Sequence, residues 1–184
     1  MQEAPYKGAP KAPVLFIKTA NTFTPSGSDI VLPASVSEVD VGANVAWVFG
    51  DNAQPVACLL VNDVSVPHES YYRPPVKFKC VDTFLGVGTK VRSIDRVNTD
   101  EMVLTVKING QEMQRVNYAD TVRKSRELVA DISEFMTFQK GDVLLLGSDC
   151  LPNGKRPRAK KGDVVEISAE GFETLVNSLV GGTA

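Results

Sequence analysis

MVLTVKINGQEMQRV, residues 102–116, decides the fold class. Its first half alternates in polarity with the period of two that sets successive side chains on opposite faces of a strand. The Asn109-Gly110 dipeptide that follows suits a type I′ turn, because both central positions of that turn need positive φ. The stretch therefore reads as a β-hairpin. Working outward, NVAWVF (44–49) is a strand broken by Gly50-Asp51-Asn52, and 56–61 is a strand apolar on both faces, expected at the centre of a sheet. VLFIK (14–18) reads as a short strand, and TPSGSD, after Phe23, as a turn. Gly-Asp turns launch GDVLLLG from Gly141 and GDVVEISAEG from Gly162, and 173–180 reads as the last strand. One segment has helical spacing: Val122, Val129, Ile132 and Met136 recur seven, three and four residues apart. With Asp120 as N-cap, this predicts a helix over 120–137. Many strands, several hairpins and one long helix make a β-rich α+β fold.

A chain of 184 residues, 43% hydrophobic, is long enough to bury one core and short for two. The expected organisation is an extended arm over 1–13, which holds three prolines, one domain over 14–180 and a flexible tail over 181–184. A formal charge of -2 argues against nucleic-acid and membrane partners. No apolar run approaches the roughly 18 residues of a membrane span, and MQEAPYKGAPKAP lacks the apolar core of a signal peptide. Cys58, Cys80 and Cys150 are odd in number and form no C-x-x-C pair, so they are expected as reduced, small apolar residues in a cytoplasmic protein. The basic run GKRPRAKK (154–161) has no interleaved aromatics and reads as a solvated hairpin tip stiffened by Pro157, rather than as a phosphate site.

The chemistry concentrates in LLVNDVSVPHESYYRPPVKFKCVDTFLGVG, 59–88, where Asp63, His68, Arg73, Lys77 and Lys79 lie between an apolar strand and a glycine-rich turn. Complementary charges closing a hydrophobic run are the usual construction of a pocket for a small anion. His68 is either a general acid/base, as an ordinary pKa of about 6.5 would suit, or a surface histidine of a polar loop. Arg73 and Lys79 either grip substrate carboxylates, arginine in bidentate fashion, or form ordinary salt bridges. Lys18 ends an apolar segment and is expected to face a pocket, whereas Tyr71 and Tyr72 read as packing residues.

Four stretches in order resemble the fumarylacetoacetate hydrolase family: APKAPVLFIKTANTFTPSGSDIVLP, VNDVSVPHESYYRPPVKFKCVDTF, DTVRKSRELVADISEFMTFQKGDVLLLGS and KKGDVVEISAEGFETLVNSLV. SYYRPPVKFKC resembles the N-terminal half, or subunit, of the family's decarboxylase/isomerase branch in 4-hydroxyphenylacetate (homoprotocatechuate) degradation. The resemblance implies a mixed β-sandwich roll of the family's C-terminal type. It also implies a C–C lyase or isomerase that handles an unsaturated keto-diacid through a dienolate, as a homodimer or beside a homologous subunit. Carried over by motif, Lys79 and His68 would be catalytic and Lys18, Arg73 and Ser148 would bind substrate, with Asp63, Lys79 and Ser148 in one pocket and Arg73 and Lys18 at its rim.

Active members of the family hold Mg²⁺ or a similar divalent cation with an E-x-E pair and an aspartate, because a hard cation takes oxygen ligands and alternate strand residues share a side. Here the two glutamate places fall on Gly42 and Asn44, leaving Asp63 as a lone remnant that otherwise caps a turn or pairs with Lys79. No tightly bound metal is therefore expected, with Mg²⁺ or its like only if the site is active, and glutamate at both places is expected to create metal binding. The histidine-bearing segment that the family places before its first strand has no counterpart either. The alternative is a non-catalytic paralogue that binds small anions or supports a metal-holding sister subunit.

Overall fold

The computed structural model describes residues 12–68 and 76–182. The first strands are β1 (Phe23–Pro25), β2 (Ile30–Leu32), β3 (Glu38–Asp40), β4 (Ala43–Phe49) and β5 (Pro55–Asp63). A four-residue helix, α1 (Val76–Lys79), precedes β6 (Leu85–Val87), β7 (Arg92–Ser93) and the hairpin β8 (Val103–Ile108) and β9 (Gln111–Asn117). Helix α2 (Ser125–Ser133) leads to β10 (Val143–Leu145), β11 (Arg158–Lys160), β12 (Val164–Ser168) and β13 (Leu175–Gly181). One sheet runs β1-β6-β5-β4-β10 with β7 also on β5, and a second runs β2-β13-β12-β8-β9. β3 and β11 form a separate two-stranded ribbon. The mixed β-rich fold is the expected one.

The main core lies where Val45, Trp47, Phe49, Cys58 and Leu60 of the first sheet meet Leu104, Val106, Ile108, Val165 and Ile167 of the second. The intervening residues Ala46, Leu59 and Val61 pack with Leu85 in a second cluster on the opposite face. That explains why β4 and β5 read as unbroken apolar runs: both faces are covered, and β5 is central as expected. Asn109 and Gly110 have φ of 52° and 78°, the type I′ signature the dipeptide predicts. The Asn109 side chain also docks this turn onto the start of β12, donating to Asp163 and accepting from the Val164 N–H, each at 2.9 Å.

Three expectations fail for identifiable reasons. The helix is nine residues long and begins at Ser125, because Asp120 accepts from Asn117 Nδ2 (2.8 Å) and Asp100, from a distant segment, takes the Ser125 N–H (2.9 Å). Ile132 is buried, but Val122 is 72% exposed, so the predicted stripe is only half real. VLFIK pairs with no strand among the described residues, and Leu15, Phe16 and Ile17 are exposed. What anchors this segment is the inward-turned Lys18. The basic run is likewise not a bare tip: 158–160 forms β11, and Arg158 pairs with Glu38 and Asp40. Cys58 and Cys80 are free thiols, with Cys58 fully buried. No helix among the described residues is long and apolar enough to cross a membrane.

Candidate functional site

β5 ends at Asp63, which is 2% exposed, and three cations from three separate segments converge on its carboxylate. Lys79 Nζ, placed by α1, lies 2.6 Å from Oδ2. Lys18 Nζ lies 3.1 Å from Oδ1, and Arg156 Nη1 lies 3.6 Å from Oδ2. Lys18 also donates to the carbonyls of Val64 (2.8 Å), Lys79 (2.7 Å) and Phe84 (2.7 Å). An ammonium has three N–H donors, so Lys18 is fully engaged by the protein. The Phe16 ring covers the Lys79 ammonium at 4.1 Å from its centroid, a cation–π contact.

Burial dominates the electrostatics. It pushes the Lys79 ammonium down to about 8, further than the attraction of Asp63 restores, and it lowers Lys18 in the same way. Burial alone would raise Asp63, but Lys79, Lys18 and Arg156 together outweigh it and hold the carboxyl below its ordinary value. Three cations against one carboxylate leave an excess of two positive charges at this end of the sheet.

Beside this cluster, at the start of β4, a neutral network fixes the 147–148 turn. The Tyr118 hydroxyl accepts from the Val45 N–H (2.8 Å), donates to the Gly147 carbonyl (2.7 Å) and lies 3.1 Å from Asn44 Oδ1. Asn44 Oδ1 accepts from the Gly147 N–H at 3.1 Å. The next residue, Ser148, has a buried hydroxyl with no hydrogen-bond partner among the described residues.

The structure thus brings Lys18, Asp63 and Lys79 into one cluster. Lys18 is 5% exposed at its side chain, inside the cluster and not at a rim. Ser148 makes no hydrogen bond to Asp63 or Lys79. His68 stacks on Phe78, with ring centroids 5.1 Å apart, and its charge acts on Asp40. Arg73, Tyr71 and Tyr72 lie outside the described residues. Arg156 is the residue that sequence reasoning missed. It sits in the run read as a solvated tip, and it is turned inward because Val41 N–H bonds the carbonyl of the following Pro157 at 2.8 Å. The available signal was indirect: a glycine at 42 leaves room, and a buried acid at 63 needs partners.

The described residues do not fit a divalent cation. Both Asp63 oxygens face cations, and among the described residues no group of three or more His, Cys, Asp or Glu converges. A Cβ at Gly42 would lie 2.6 Å from the Asp63 carbonyl oxygen and 2.9 Å from Arg156 Nη1. The expectation that glutamates at 42 and 44 would build a metal site is therefore corrected. Position 42 has no room, and Asn44 already holds the 147–148 turn.

Residues 1–180 match the family model described as Fumarylacetoacetate (FAA) hydrolase C-terminal. The chain is 38% identical over 189 residues to the 4-hydroxyphenylacetate degradation bifunctional isomerase/decarboxylase of Escherichia coli, covering 97% of this chain and 42% of that protein. The homoprotocatechuate catabolism bifunctional isomerase/decarboxylase of Escherichia coli is 36% identical, with the same coverage, so the chain spans less than half the length of these curated relatives. A solved 5-carboxymethyl-2-hydroxymuconate delta-isomerase from Mycobacterium smegmatis has a TM-score of 0.80 at 26% identity, over 99% of this chain and 76% of that one. A 2-keto-3-deoxy-D-arabinonate dehydratase solved with magnesium and 2,5-dioxopentanoate shares the fold, with a TM-score of 0.74 at 20% identity over 89% and 60% of the two chains.

Proposed function

The chain belongs to the fumarylacetoacetate hydrolase family, and from that membership we propose that it isomerises or decarboxylates an unsaturated keto-diacid through a dienolate, using its own cations instead of a metal. The observation that carries this reading is Lys79: a buried amine with its pKa near 8, held on Asp63 within a cluster of surplus positive charge. A base poised near neutrality takes a proton from the carbon beside the keto group and becomes the ammonium that stabilises the resulting dienolate oxygen. Return of that proton two carbons along completes a 1,3-shift. In decarboxylation the C–C bond breaks, carbon dioxide leaves with its electron pair left on the dienolate, and Lys79 then protonates carbon. Ser148, whose buried hydroxyl lacks a partner among the described residues, is the proposed neutral donor to the substrate, and His68 the second proton carrier. The relatives' names, 4-hydroxyphenylacetate degradation and homoprotocatechuate catabolism, support a role in aromatic catabolism, which we propose takes place in the cytoplasm with a second copy or a homologous chain as partner.

Proton exchange tests this directly. Incubated in D₂O with 2-oxoadipate, the protein should accelerate exchange beside the keto group, and Lys79→Ala should slow it by about 10²-fold or more, the scale of a lost acid–base group. Exchange no faster than in buffer defeats the catalytic reading. The second reading, a non-catalytic anion-binding partner of a sister chain, is favoured by one observation: the protein itself uses every Lys18 donor on backbone carbonyls and holds the Lys79 ammonium on Asp63 Oδ2. It predicts binding of the diacid without exchange.

A further inference from the structure

Arg156 is the group at this site that the motif pattern does not explain: the fold turns it inward, but not onto a partner of its own. Its side chain is 18% exposed, yet Nη1 is a buried atom with no hydrogen-bond partner among the described residues. Asp63 Oδ2, with which it forms an ion pair, is 3.6 Å away and already held by Lys79 at 2.6 Å. A guanidinium has five N–H donors in a planar fork, and burying one unsatisfied is costly unless something else accepts from it. The residue is not loosely placed. Pro157, beside it, bonds Val41 through its carbonyl, and β11 immediately after pairs with β3. The space Arg156 fills is the space a side chain at 42 would need, since a Cβ there would meet Nη1 at 2.9 Å.

We propose that Arg156 is the resident cation of this site: its fork takes a pair of ligand oxygens, carboxylate or keto-enolate, at the place beside Asp63 where a divalent ion would otherwise sit, so that dianion binding is independent of metal. The proposal deepens the reading above and rests on it. It names the ligand class as a planar oxygen pair carrying two negative charges, which matches the two positive charges left over by Lys18, Lys79 and Arg156 against Asp63. Arginine suits such a pair because two parallel N–H···O bonds fix geometry as well as charge, and lysine supplies only a point charge.

The test is calorimetric titration of oxalate into the full chain treated with EDTA, repeated with added Mg²⁺. The parent should bind oxalate equally well in both, and acetate far more weakly. Arg156→Gln should lower oxalate affinity at least tenfold, and Arg156→Lys should recover only part of it. Thermal melting shows whether Arg156→Gln folds; if it does not, the partial loss in Arg156→Lys carries the test. Oxalate affinity unchanged in a folded Arg156→Gln overturns the role of Arg156 alone. Binding that appears only with Mg²⁺ also overturns it, leaving a keto-diacid site intact. No oxalate binding by the parent under either condition, with no proton exchange on 2-oxoadipate, overturns the underlying reading as well.

Discussion

Lys18→Met keeps the length and apolar stem of the side chain and deletes the ammonium, and it should be among the most damaging single changes in the chain. In the native structure that ammonium bonds three carbonyls from separate segments at 2.7–2.8 Å and pairs with a carboxylate at 3.1 Å. Hydrogen bonds to a charged group contribute about 1.5–3 kcal/mol each, which summed naively would exceed the stability of a typical domain. Two effects reduce the sum. Burial already opposes the charge of Lys18, so removing it returns that desolvation cost, and Lys79 and Arg156 remain to pair Asp63. The scale for breaking a buried ion pair, about 3–5 kcal/mol, is therefore the expected loss. Urea unfolding measures it as a fall in the midpoint at unchanged m-value. The exposed Lys77→Met serves as control and should stay within about 0.5 kcal/mol of the parent. A loss below about 1 kcal/mol for Lys18→Met would mean that the three carbonyls are not held as described, and the argument for a protein-engaged Lys18 would fall with them.

The pH profile follows from Lys79, whose ammonium dissociates near 8 in the native state against 10.5 ordinarily. Between those values the unfolded chain holds a proton that the native chain has released, so this residue's contribution to stability should rise with pH across that window. Urea curves of the parent minus Lys79→Met read that difference, and a difference that falls or stays flat refutes it. Oxalate affinity should move the other way, dropping by up to about tenfold per pH unit above 8 as the charge is lost; calorimetry that shows no change from pH 7 to 9.5 contradicts the assignment. Gly42→Ala should destabilise by about 1–3 kcal/mol, because its Cβ meets a backbone carbonyl at 2.6 Å, and a thermal melt matching the parent would show that the close approach is relieved at no cost.

What the sequence disclosed, and what it withheld, divides along the range of the interactions. The Asn109-Gly110 hairpin was legible because turn and alternation lie within fifteen residues. The both-faced burial of β5 was legible because composition alone carries it. The start of α2 was not, since its first N–H, that of Ser125, is taken by Asp100, 25 residues upstream, and no local pattern announces an acceptor from another segment. An apolar pentapeptide such as VLFIK has strand composition whether or not a partner strand exists. Its true attachment is the Lys18 ammonium, reaching residues 46 to 66 positions away, together with the Phe16 ring on Lys79 and the Ile17 carbonyl under Cys80. Asp63 and Lys79 were readable as a pair from charge and spacing. Arg156 was not, because its inward direction is imposed by Pro157 docking on Val41.

The place of β13 has a consequence for how the chain is made. This strand, the last one described, lies between β2 and β12 and runs parallel to β2, with Leu179 opposite Ile30. Asn177 adds bonds back to the carbonyls of Pro25 and Ser28. A ribosome releasing residues in order therefore delivers β2 about 150 residues before its neighbour exists, an interval of about 7–30 s at ordinary elongation rates. The β4–β5 and β8–β9 hairpins can close during synthesis, whereas the second sheet keeps an open slot until the final strand emerges. Closure of that slot is a long-range, slow event, and the nascent chain remains dependent on its surroundings until then.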